Sequence, residues 1–101
     1  MKKISLKIAS DLYDELKFYK KFGDNVCIYL HDNTVKVGYD NNYGASNFIK
    51  NNETRMLVIN KYKTSILLED YYKKDACKII QALVNEVIEE YKEVIEGYDI
   101  I

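Results

Sequence analysis

Proline and tryptophan are missing from these 101 residues, glycine occurs four times, and histidine and arginine once each, as His31 and Arg55. Without proline no helix carries an internal breaker, and so few glycines exclude a flexible linker or a low-complexity tail. No apolar run approaches the ~20 residues of a membrane span. The opening Met1-Lys2-Lys3-Ile4-Ser5-Leu6-Lys7 breaks its apolar residues too soon for the core of a signal peptide. The expected location is cytoplasmic, with no membrane. Cysteine is limited to Cys27 and Cys77, with no C-x-x-C and no histidine cluster. Two buried, reduced thiols are expected, a strand-to-helix disulfide staying open. A zinc site wants four ligands at workable spacing, which this chain lacks, so neither metal nor cofactor is expected.

What is present is globular: 48% of the residues are apolar and 31% charged, enough for one modest core and a single domain over 1–101. The net charge of −1 implies no general pull toward nucleic acid or membrane. Its distribution says more. Lysines outnumber acids over 1–30, whereas Glu86, Glu89, Glu90, Glu93, Glu96 and Asp99 face only Lys92 near the other end. Lys, Asn, Ile and Tyr together make up nearly half the chain, which associates it with an AT-rich genome.

The strongest pattern lies between Asp75 and Tyr98. At 100° per residue Ala76, Ile80, Leu83, Val84, Val87, Tyr91, Val94, Ile95 and Tyr98 share one arc, and the five glutamates share the other. That spacing predicts a long amphipathic helix. Its roughly 37 Å exceed what a sheet of this domain covers. Tyr91, Val94, Ile95 and Tyr98 in its last turns are therefore expected to form a homodimer interface.

Ahead of that helix, Ile4, Leu6 and Ile8 alternate with Lys3, Ser5 and Lys7, predicting a strand. A helix capped by Ser10 or Asp11 and ended by Gly23 follows. Ile4, Ile8, Leu12 and Leu16 also fit i, i+4 spacing, so a helix starting near Ile4 is the alternative. Asn25 to Leu30 and Thr34 to Tyr39 read as a hairpin, and Arg55 to Tyr62 with Ser65 to Glu69 as a second one. The predicted fold is α+β: a mostly antiparallel sheet of four to five strands, in the order strand, helix, hairpin, hairpin, helix, packed against a long C-terminal and a shorter N-terminal helix.

Lys3 to Tyr19, KISLKIASDLYDELKFY, resembles the strand and first helix of ribbon-helix-helix DNA-binding proteins. That fold needs a second helix straight after the first, where this chain has the strand-like Val26-Cys27-Ile28-Tyr29-Leu30. The resemblance stops there, and DNA binding is not carried over.

Chemistry-bearing constellations are scarce. His31 beside Asp32 reads as a turn residue, and a Cys27–His31 dyad is the one nucleophile–base pairing on offer. Asn42-Tyr43-Gly44-Ala45-Ser46 is no phosphate loop. The loop around Asn41, Asn42 and Tyr43 instead offers adaptable amides and a stacking ring, suited to a contact surface. The carboxylate line Glu86, Glu89, Glu90, Glu93 and Glu96 suits docking against a basic groove. Ten tyrosines, with Lys36, Lys61 or Lys63 between, would suit a nucleotide or single-stranded nucleic acid. The expected function is thus a small non-enzymatic binding protein with no catalytic residue. By analogy of size and composition it is an inhibitor from a phage or mobile element, acting on a host protein or nucleic-acid-processing complex such as a defence nuclease.

Overall fold

A computed structural model describes residues 2–21, 26–31, 34–39, 54–55 and 61–99, with side chains at all of these except 30, 31, 39, 54, 55, 61, 62 and 90–99. The fold is α+β. Helix α1 (Leu6–Lys20) leads into strands β1 (Val26–His31) and β2 (Thr34–Tyr39). Strand β3 (Thr54–Arg55) and helices α2 (Lys61–Glu69) and α3 (Lys73–Asp99) follow.

The N-terminal strand of the sequence reading is not formed: the alternative, a helix starting near Ile4, is the one observed. Ser5 rather than Ser10 or Asp11 is the cap; its backbone is extended, and its Oγ accepts from the Ile8 amide at 3.2 Å. Ala9, Leu12, Tyr13 and Leu16 are buried, whereas Leu6 and Ile8 are 47% and 43% exposed. The alternation of Ile4, Leu6 and Ile8 thus marks no buried strand face. Gly23 lies outside the described residues.

The first hairpin forms as its pattern predicts. β1 and β2 pair antiparallel from Val26↔Tyr39 to His31↔Thr34, so His31 ends a strand. Val26, Ile28 and Val37 enter the core from one face, and Cys27 and Tyr29 are buried on the other. That two-sided burial fits β1's central place in the sheet order β2-β1-β3.

The second hairpin is corrected. β3 pairs antiparallel with β1 through Leu30↔Arg55, but Lys61, Tyr62 and Ser65 to Glu69 are helical. Residues 56–60 lie outside the described ones. A short apolar run such as Ile66-Leu67-Leu68 has no period of its own; tertiary contacts decide it. Thr64, buried, donates from Oγ1 to the Val26 carbonyl at 3.0 Å, Leu67 enters the core, and Glu69 pairs with Lys20. The order is therefore helix, hairpin, short strand, helix, helix. Among the described residues the sheet has three strands, not four or five.

The long helix runs from Lys73 to Asp99, 27 residues or about 40 Å. Ala76, Cys77, Ile80, Val84 and Ile88 are buried along it, with Leu83 and Val87 beside them. Helix α1 packs antiparallel to it: the backbone of Ile4 meets Asn85, and Asp14 pairs with Lys73 twelve residues earlier on α3.

Candidate interaction surface

Two faces of α3 are chemically distinct. Turned away from the core are Lys74, Lys78, Ala82, Glu86 and Glu89, all exposed. The predicted partner-binding residues Glu86 and Glu89 thus lie on the outer side, one turn apart. Glu90, Glu93, Glu96 and the predicted dimer residues Tyr91, Val94, Ile95 and Tyr98 fall on the helical backbone, their side chains outside the described set. Asn41, Asn42 and Tyr43 lie outside the described residues altogether.

Charge along α3 follows an unusual order. Lys73, Lys74 and Lys78 occupy its opening turns, Asp75 is the first turn's acid, and the last turn carries no base. A helix macrodipole favours the reverse, acids early and bases late. Lys73 is held within the chain: its Nζ lies 2.9 Å from an Asp14 carboxylate oxygen and 5.9 Å from the centre of the Tyr13 ring. Its pKa is raised above the ordinary value, first by the hydrogen bond to Asp14, with partial desolvation opposing. Lys74, Lys78, Glu86 and Glu89 make no ion pair among the described residues.

A second feature escaped the sequence pattern. Ile4 is buried, and its N–H donates to Asn85 Oδ1 at 2.7 Å. Asn85 Nδ2 and Gln81 Nε2 donate back to the Ile4 carbonyl at 3.2 and 3.3 Å. The amide of Asn85 therefore pairs with both backbone groups of one residue, as a neighbouring strand would. Its only signal in the sequence is two amides, i and i+4, at the margin of the apolar stripe.

Other sequence candidates separate. Cys27 and His31 stand four residues apart on β1, about 13 Å, beyond the reach of a dyad; the Cys27 thiol faces the Gly38 carbonyl at 3.6 Å. Both cysteines are buried and neither forms a disulfide. Tyr13 and Tyr29 are buried rather than arrayed on a binding face, while Tyr71 and Tyr72 are 44% and 85% exposed. Burial raises the pKa of the Tyr29 hydroxyl, with smaller contributions from Cys27 and Tyr19. Among the described residues no three His, Cys, Asp or Glu side chains gather to hold a metal ion, and no helix is long and apolar enough to cross a membrane.

Compared with known proteins, the chain matches no family model, no curated protein and no solved structure.

Proposed function

We propose that this chain is a small non-enzymatic binding protein that lays the acidic outer side of α3 against a basic surface of a macromolecular partner. The exposure of Glu86 and Glu89 carries this reading. Both lie in the middle of α3, away from the terminal turns where its dipole acts, and both stand exposed without an ion pair among the described residues. A cationic partner would neutralise these carboxylates. An AT-rich composition in a short chain favours a phage or mobile-element inhibitor that blocks a host macromolecule such as a defence nuclease.

The reading includes a homodimer through the C-terminal helix. Helix α1 begins beside Asn85 and runs away from the end of α3, so positions 86–99 extend past it. Tyr91, Val94, Ile95 and Tyr98 fall on that extension. The alternative is a nucleotide or single-stranded nucleic-acid binding module using a Tyr/Lys face, in which Tyr13 and Tyr29, both buried, take no part.

The test is comparative capture from a bacterial lysate with wild type and the Glu89→Lys, Glu93→Lys, Glu96→Lys triple variant. A partner retained by the first and lost by the second, at equal thermal stability, supports the proposal. Equal capture refutes it, and salt-dependent binding of a single-stranded oligonucleotide would favour the alternative.

A further inference from the structure

We propose that single-stranded nucleic acid lies along the seam between α1 and α3, its phosphates on Lys17, Lys21, Lys74 and Lys78 and its bases against the exposed rings of Tyr71 and Tyr72. This rests on the alternative reading, a Tyr/Lys face, and names that face; the acidic outer side of α3 is left to its own partner.

Two stripes of side chains flank that seam. On α3, Lys74, Lys78, Gln81 and Asn85 recur at four, three and four residues and so share one side of the helix. Gln81 and Asn85 meet the Ile4 carbonyl just ahead of α1, so that side borders α1. On α1, Asp14, Lys17 and Lys21 recur at three and four residues, and Asp14 meets Lys73 across the seam. All four lysines are exposed and make no ion pair among the described residues. Asp14 and Glu69 are already held, by Lys73 and Lys20, which leaves Asp70 and Asp75 as the acids beside the track. Asp11 and Glu15 fall about a third of a turn away round α1.

Two bridges place the rings. Lys20 pairs with Glu69, the last residue of α2, and Asp14 with Lys73, the first residue of α3. Tyr71 and Tyr72 stand between Glu69 and Lys73, so their backbone runs beside the turn of α1 that carries Lys17. Tyr72 is 85% exposed and Tyr71 44%, so neither ring is core. Because the helices run antiparallel, Lys78 comes level with the stretch near Ser10. From there to Lys21 the track is roughly 17 Å long, with both rings along it. Lysines suit phosphate oxygens, and every base offers a face that stacks on tyrosine. A duplex hides those faces and an acidic protein surface has none, which selects a single strand. Glu86 lies about 12 Å along α3 from Lys78, beyond a Debye length at physiological salt, so the acidic side does not cancel the track.

Fluorescence anisotropy of a labelled oligothymidine strand, titrated with the full chain at several salt concentrations, tests the face. Four phosphate contacts give log K against log salt a slope of roughly −3, at about −0.7 per contact on a single strand. Lys17→Gln with Lys78→Gln should halve that slope. Tyr72→Ala should weaken binding about tenfold at an unchanged slope, with helical circular dichroism unaltered in both variants. A duplex of the same length should bind more weakly. Strand binding indifferent to all three substitutions overturns this face and leaves a Tyr/Lys face elsewhere on the molecule standing. Duplex or polyglutamate binding as tight as that of the single strand, untouched by Tyr72→Ala, makes the track a general polyanion contact and overturns it. No binding at low salt overturns both this face and the alternative reading, and the lysate capture judges the acidic side of α3 separately.

Discussion

Replacing Asn85 with alanine tests how the N-terminal segment is tied to the rest of the molecule. The Asn85 amide exchanges two hydrogen bonds with the backbone of Ile4, whose residue is only 6% exposed. Without it the Ile4 carbonyl keeps Gln81 at 3.3 Å, but the 2.7 Å bond of the Ile4 N–H has no replacement among the described residues. A hydrogen bond contributes a net of about 0.5–1.5 kcal/mol, and orphaning a buried donor costs about 1–3 kcal/mol. The site is part-buried, so water recovers some of this, and the loss should be about 2–3 kcal/mol. In a domain of this size that lowers the melting temperature by roughly 10–20 °C. Urea titration followed by helical circular dichroism reads it directly. Gln81→Ala removes one longer bond and should cost about 1 kcal/mol. Asn85→Asp keeps an acceptor for the Ile4 N–H but turns its second oxygen toward the Ile4 carbonyl, so it should fall between the two. Asn85→Ala within about 0.5 kcal/mol of wild type, the range of ordinary surface changes, would refute the clamp as an anchor.

Two further outcomes follow from local chemistry. Ser5→Ala removes the oxygen that accepts from the Ile8 amide and should cost about 1 kcal/mol in the same titration; a strand over residues 4–8 would be indifferent to it. Tyr29, whose hydroxyl is pushed above its ordinary 10.0 by burial, should make the protein alkali-sensitive. In the folded state the phenol stays protonated while the unfolded chain releases its proton. Stability is therefore fully present below pH 10 and declines as pH rises toward the folded value. Tyr29→Phe should flatten that decline, and an unchanged slope above pH 10 would rule Tyr29 out as its source.

Periodicity was legible wherever one period dominated. The long helix needed only its i, i+4 apolar stripe, although Ile88 joined the buried side unannounced. The first hairpin came from two alternating runs across His31-Asp32-Asn33, in register over six pairs. Competing periods caused the misreadings. Ile4, Leu6 and Ile8 alternate like a strand, yet Leu12, Tyr13 and Leu16 continue a helical spacing over a longer window, and the longer set buries more area. Ser65 to Glu69, too short to show a period, is held helical by the Thr64 bond to Val26 and the Lys20–Glu69 pair.

The sequence by itself determined where apolar faces recur and where charge gathers, since both are read along one helix or strand from neighbours a few residues away. Only the tertiary structure decided that Ser5 starts a helix, that Asn85 grips Ile4 across 81 positions of chain, and that α1 ends its cover of α3 near that grip. Those outcomes depend on which distant groups meet, and a hydrogen bond between distant residues leaves no periodic trace in the chain that makes it.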